Sequence, residues 1–241
     1  MGIFPLFLFN FLNPEDLINT ALARQCEGTS ISFNEPTLLF EYSLKVFKLA
    51  KKKNLYNTYV SNGYMTEMVL KDLKEKGLDA INIDIKGNNE IVKKHCGIDN
   101  EKVWRNAELA KNLGIHVEIT TLLIEGLNSD LRTIETIAKR IENNLGSDTP
   151  YHISRFFPKY KAKVKGYTKA TSLNLLYKSY DIASKFLNFV YIGNIFDPKY
   201  NTTFCPNCLQ KVITRSGLSV SEKRLDTQGN CSYCGTKICV Q

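Results

Sequence analysis

Seven cysteines punctuate the 241 residues, and four of them form two short pairs, Cys205-Pro-Asn-Cys208 and Cys231-Ser-Tyr-Cys234. A two-residue gap lets both thiolates of a pair face one ion, while nearby backbone amides offset the sulfur charge. Two such knuckles complete a tetrahedral four-thiolate site, which favours zinc, with rubredoxin-like iron as the alternative. A closed site leaves no position for substrate, so its metal is structural and largely replaces a hydrophobic core in so short a segment. Residues 209–214 and 223–225 can form a short hairpin between the knuckles, the body of a zinc ribbon. Cys26 and Cys96 are isolated and read as buried apolar thiols; Cys239 has no assigned partner.

A second set of reactive side chains recurs at the ends of apolar runs. Residues 28–36, 57–63, 80–86, 116–123 and 151–155 together offer Asn34, Glu35, Ser61, Asn62, Asp84, Lys86, Glu118, Thr120, Thr121, His152 and Arg155. Carboxylates, amides, an ammonium and an imidazole can hold a polar ligand or move protons. Asp84 and Lys86 alternate along one strand and so share a face, as do Glu118 and Thr120. Taken singly, each has a plain structural reading. Asp84 and Lys86 could be a salt bridge inside a barrel, His152 a satisfied core histidine, and Asn34-Glu35-Pro36 a helix entry. Their recurrence at the same end of successive segments is what favours function.

Helices must lie between those segments to bring the ends together. Asn13 and Pro14 open a helix over 14–24, followed by a strand at 29–33. A helix over 38–53 precedes a strand at 57–60. Thr66 caps the next helix and Gly77 ends it. A strand at 80–85, a helix over 102–113 closed by Gly114, and a strand at 117–123 follow. The helix over 129–144 buries Leu131, Ile134, Ile137, Ala138 and Ile141 as one stripe. A strand at 152–156, a basic loop over 159–165, a helix over 173–186 and a strand at 189–192 complete the unit. Strands alternating with helices imply right-handed crossovers and a parallel sheet, with ligands where the strands' carboxyl ends converge.

The pattern predicts an α/β fold: a partial (β/α)6 TIM-like barrel missing its first strand, with a C-terminal zinc ribbon. Its divisions are an apolar N-terminal segment at 1–12, the barrel at 13–200 and the ribbon at 201–241. Hydrophobic residues make up 43% and charged ones 23%, ordinary for a soluble globular protein. The apolar start has no basic flank or cleavage site and is too short to span a bilayer, so neither a signal peptide nor a membrane anchor is expected. Cysteine usage without a secretory signal points to a reducing, cytoplasmic setting. The net charge of +8 reads first as solvated helix faces. Nucleic acid is a weaker alternative partner.

Several of these motifs together resemble one known family. They are Ser32-Phe-Asn-Glu-Pro-Thr37, Val60-Ser-Asn-Gly-Tyr64, Asn82-Ile-Asp-Ile-Lys-Gly87, residues 117–128 and His152-Ile-Ser-Arg-Phe156. With the C-terminal knuckles, they resemble the AmmeMemoRadiSam radical enzymes, radical S-adenosylmethionine (SAM) proteins similar to pyruvate formate-lyase activating enzymes. The resemblance runs from about residue 13 to the end. It implies a partial barrel holding SAM against a [4Fe–4S] cluster. By that likeness Asn34, Glu35 and Pro36 stand where the methionine amino group is held, and Asn62 approaches from the next strand. Asp84 and Lys86 match an Asp-x-Lys pair near the methionine moiety, and His152 stands near the adenosine side. Glu118 joins them as a cofactor-binding candidate.

Two departures from the family pattern stand out. Its CxxxCxxC cluster motif is absent from this sequence, and Phe157 stands where a histidine is expected. Three thiolates that leave one iron open are what reductive cleavage of SAM needs. The missing motif and the missing opening strand together predict a truncated or frame-shifted chain, with a cluster-less relative or a split protein as alternatives. The expected activity of the full-length form is a 5′-deoxyadenosyl radical that abstracts hydrogen from an unknown substrate, a protein among the candidates. Two rival functions remain: a Schiff-base aldolase-type barrel using Lys86, and a basic zinc-ribbon module that binds nucleic acid.

Overall fold

The computed structural model describes residues 12–217 and 219–239. All but the last residue of the apolar segment at 1–12 therefore lie outside the described residues. Local signals set the element boundaries. Asn13 caps α1 (Pro14–Ala23) by accepting a hydrogen bond from the Asp16 amide at 2.8 Å. Thr66 caps α3 (Glu67–Lys76) in the same way, and Gly77 ends it in the left-handed conformation at φ 111°. Between these two lie β1 (Gly28–Ile31), α2 (Phe40–Lys51) and β2 (Tyr56–Ser61). Next come β3 (Ala80–Asp84), α4 (Asn89–Cys96), α5 (Asn100–Asn112) and β4 (His116–Leu123). The unit closes with α6 (Leu131–Leu145), β5 (Tyr151–Arg155), α7 (Leu173–Ala183) and β6 (Val190–Gly193).

The six strands are all parallel and stand in sequence order, β1 to β6, across one sheet. These are the six strands the sequence pattern supplies. An additional opening strand would have to come from outside the described residues. The pleat sorts the side chains by parity. Tyr59, Ile81, Ile83, Val117, Ile119, Tyr151 and Ile153 are buried and join one core with Phe47, Leu70, Trp104, Ile134, Ile141 and Leu176 of the helices. The opposite parity leaves Asn82, Asp84, Glu118, Thr120, His152 and Ser154 only half-buried on the concave face. A sheet buried on one face only reads as apolar-polar alternation, as these strands do. The α6 stripe packs as expected, with Leu145 extending it and Leu131 at its margin.

The C-terminal segment forms a separate antiparallel sheet of β7 (Thr203–Phe204), β8 (Lys211–Ser216) and β9 (Ser219–Lys223). The hairpin thus exists, but its second strand overlaps the expected residues 223–225 only at Lys223. Chain reversal at Gly217 (φ 61°) comes early enough to pair Ser216 with Ser219, and Leu225 instead bridges Cys231. The ribbon has a core of Cys205, Val212, Ile213, Cys231 and Ile238, completed by Phe189 and Tyr191 at β6. Two thiols also depart from expectation: Cys26, just beyond α1, and Cys96, the last residue of α4, are exposed rather than facing the core.

Candidate functional site

The concave face of the sheet floors a cleft of about 960 Å³. One row across it runs Val60, Asn82, Glu118; the next runs Asp84, Thr120, His152, Tyr191. Neighbouring strands thus present amide, carboxylate, hydroxyl and imidazole groups as a continuous polar surface. The tail of the ribbon, residues 237–239, lines another part of the same cleft, together with Lys111 and His116.

Glu118 lies between two imidazoles. His152 Nε2 is 2.9 Å from its Oε2 and His116 Nε2 is 3.2 Å from its Oε1. Both contacts call for Nε2–H on the histidines. Burial alone would raise the Glu118 carboxyl, but the hydrogen bonds from His116 and His152 and their charge outweigh it and hold it well below the usual range. His152 also stacks on Tyr191, with ring centroids 5.2 Å apart. Burial pushes the Tyr191 phenol up to about 12, and its hydroxyl shares a 2.9 Å hydrogen bond with Thr203. The Arg215 guanidinium of β8 lies over that ring, 5.6 Å from its centroid. A relay of packed groups therefore runs from the ribbon to Glu118.

The loops at the strand carboxyl ends are tied to one another. Phe33 and Asn34 after β1 are both left-handed, with φ 69° and 49°, and both are exposed. This bend aims Glu35 back at β2. Its carboxylate accepts from Ser61 Oγ at 2.8 Å, the Asn62 amide at 2.8 Å, and the amide and hydroxyl of Thr37 at 3.1 and 2.7 Å. Gly63 follows at φ 70°, where any side chain would collide with Ile83 and Val103. Beyond β3, Lys86 Nζ and Asp84 Oδ2 form a 2.5 Å ion pair, with both side chains partly exposed. Buried Asn128 holds that turn, donating to the Lys86 and Leu122 carbonyls at 2.9 and 2.8 Å and accepting from the Ile124 amide at 2.7 Å.

In the ribbon, the sulfur atoms of Cys205, Cys208, Cys231 and Cys234 all lie within 4.8 Å of one another. The Cys205–Cys234 and Cys208–Cys231 separations are 3.5 and 3.7 Å. These exceed a disulfide bond of about 2.05 Å. They match the sulfur–sulfur edge of about 3.8 Å that 2.3 Å metal–thiolate bonds give in a tetrahedron. The two knuckles are built alike: the residue after the second cysteine donates its amide to the first cysteine's carbonyl, Leu209 at 2.9 Å and Gly235 at 2.8 Å.

The structure therefore brings Asp84, Glu118 and His152 into one cleft and joins Glu35 to Asn62 across the ends of β1 and β2. Lys86 is drawn to Asp84, Pro36 is buried, and Asn34 faces solvent. The Asn62 side chain is occupied within its own loop, accepting from the Tyr64 amide at 2.7 Å. Thr121 and Arg155 are structural. Thr121 is buried and bonds the Ile85 carbonyl at 2.7 Å, and Arg155 bonds the Thr171 carbonyl at 2.8 Å. The sequence reading left His116, Asn82, Ser154 and Tyr191 unassigned. The two-residue step from His116 to Glu118 and from Asn82 to Asp84 was a signal that could have found the first two. Ser154 follows His152 by the same step, but the packing of Tyr191 under the ribbon had no such mark.

Residues 6–141 match the model of the Radical SAM superfamily. The chain belongs to the Radical SAM superfamily. It is 34% identical over 229 residues to an uncharacterized protein of Methanocaldococcus jannaschii, covering 94% of this chain and 67% of the relative. Among solved structures it is similar to a domain of the pyruvate-formate lyase-activating enzyme from Bacteroides vulgatus. That likeness has TM-score 0.58 at 17% identity over 69% of this chain and 99% of that one. Methylornithine synthase gives TM-score 0.58 at 16% identity, over 76% of this chain and 55% of that one. A radical SAM methyltransferase from Sphaerobacter thermophilus gives 0.58 at 12% identity, over 77% and 58%. These likenesses establish the shared partial-barrel fold.

Superfamily membership implies SAM and an iron–sulfur cluster. The cysteines of this chain do not fit that cluster. Four are gathered in the ribbon, Cys26 and Cys96 lie apart on different helix ends, and Cys239 contacts Asp148 at 3.7 Å. No CxxxCxxC spacing occurs anywhere in the 241 residues.

Proposed function

We propose that this chain is the SAM-binding and metal-ribbon part of a radical SAM protein of the AmmeMemoRadiSam type, working in the cytoplasm on a substrate that includes protein among its candidates. The observation that carries the reading is the set of coupled strand-end loops in a superfamily member. Glu35 and Asn62 are joined across β1 and β2, and Asp84 and Lys86 across the end of β3. SAM presents an ammonium, a carboxylate, a sulfonium and ribose hydroxyls, and the loops and the adjoining strand β5 offer complements for the ammonium, the carboxylate and the hydroxyls. Glu35 Oε2 receives a single hydrogen bond, from the Asn62 amide, and can accept another from an ammonium. Lys86 can turn from Asp84 to a carboxylate. His152 and Ser154 line the adjoining cleft, where ribose hydroxyls find partners. Zinc is the metal we assign to the four thiolates.

SAM in this family is cleaved by an electron from the cluster, and this chain does not supply the three thiolates for it. Any such cleavage draws its thiolates from beyond this sequence. Lys86 is 40% exposed and ion-paired, which is not the desolvated setting that activates a lysine nucleophile for Schiff-base chemistry. Equilibrium dialysis of radiolabelled SAM against the purified chain tests the reading. We expect saturable binding, weakened at least tenfold in D84N/K86Q, and no release of 5′-deoxyadenosine under reducing conditions. Absence of saturable SAM binding by the folded chain sinks the SAM assignment; 5′-deoxyadenosine release overturns the conclusion on the cluster.

A further inference from the structure

Sharing Asp84 with the main cleft, a second chamber of about 310 Å³ opens between α4, the β4–α6 loop and residues 165–167. Its volume matches the lower end of small-molecule sites, about 300–1,000 Å³. The walls are aliphatic: Ile91, Val92, Leu122, Ile124 and Leu127. Lys86, His95, Lys165 and Tyr167 add polar groups to the lining. Asp84 also lines the chamber, but its charge is taken by Lys86 at 2.5 Å. Lys165 has no ion-pair partner among the described residues, and Lys159, Lys161 and Lys163 of the same loop add to the positive field.

The chamber is built rather than incidental. Asn128, 2% exposed, ties Lys86 on one wall to Leu122 on the other through its single side-chain amide. Gly87, at φ 142°, lets the chain turn from β3 into α4 between Asn128 and Ile91. Asn88 then caps α4 by accepting from the Ile91 amide at 2.9 Å. An apolar chamber with an unpaired cation in its lining selects a ligand of the complementary kind.

We propose that this chamber binds a small amphiphilic carboxylate, with its hydrocarbon against the aliphatic walls and its head at Lys165, whose charge is not shared with the Asp84–Lys86 pair. The site goes beyond the SAM reading, and neither SAM nor a cluster is needed to detect it. Cys96, exposed on the last turn of α4, lines the chamber, whereas Cys26, equally exposed, follows α1 and does not. Two thiols thus give a local reporter and an internal control. The test is alkylation by iodoacetamide, read by peptide mass spectrometry, with decanoate below its micellar concentration as probe and decanol as the neutral comparison.

Decanoate is expected to slow Cys96 alkylation at least tenfold while leaving Cys26 unchanged. Decanol should protect several-fold less, and K165E should lose most of the decanoate protection while keeping the fold. Unchanged Cys96 labelling with decanoate overturns the site. Equal slowing of Cys26 overturns it as well, as non-specific association. Equal protection by decanol, or full protection in K165E, overturns the assignment of a carboxylate head. The SAM reading stands whichever way this experiment falls.

Discussion

Glu118 concentrates the electrostatics of the cleft in one side chain. Two imidazoles and a carboxylate on one concave face are usual for proton handling, yet here their first effect is on folding. The folded-state carboxyl is depressed, so its contribution to stability is fully present above its unfolded value of about 4.3 and is lost as pH falls below it. Glu118→Gln is expected to cost roughly 1–3 kcal/mol at neutral pH by breaking charge-assisted bonds. It should also flatten the loss of stability between pH 6 and pH 3, measured by denaturant unfolding at each pH. Parallel pH profiles for the two proteins would refute the role given to His116 and His152. The residue types here were legible from alternation along two strands, His116 with Glu118 and, one strand over, His152. The Glu118–His152 contact was not, because it crosses strands diagonally and depends on a register no local pattern encodes.

Elements were read more securely than their junctions. Caps at Asn13, Thr66 and Gly77 carry strong local signatures and the structure uses each one. Helix α4 was missed because residues 89–96 are short, polar and interrupted by charge, with Val92 alone buried. That omission hid the second chamber, one wall of which α4 provides. The knuckles show the opposite case, a junction that spacing made plain but whose backbone it did not. In both, the residue after the second cysteine is left-handed: Gly235 at φ 75° and Leu209 at φ 59°. Glycine adopts this conformation freely, while a leucine there carries a penalty of about 1–2 kcal/mol. Leu209 is 73% exposed, so little packing is lost on its removal. Leu209→Gly is therefore expected to stabilise the metal-loaded ribbon by about 1 kcal/mol after the added unfolded-state entropy, scored as a raised denaturant midpoint. A lowered midpoint would show that Leu209 has contacts that outweigh its backbone strain.

At the scale of the molecule, the ribbon and the barrel share material. Phe189 and Tyr191, at the last barrel strand, belong to the ribbon's core, and Arg215 and residues 237–239 reach back towards the cleft. Stripping the metal with a chelator should melt β7–β9 and make Tyr191 accessible, while the parallel sheet keeps its far-ultraviolet dichroism. Loss of the whole fold at once, or no change at Tyr191, would contradict this division. No helix among the described residues is long and apolar enough to cross a membrane, so burial rests on these internal faces. The shared core also sets an order on biosynthesis. A chain leaving the ribosome completes β6 well before Cys231 and Cys234 emerge, and until they do two aromatic rings stand uncovered on a finished barrel. Nascent protein starved of metal should then self-associate through that patch, so that metal supply governs yield before it governs any chemistry.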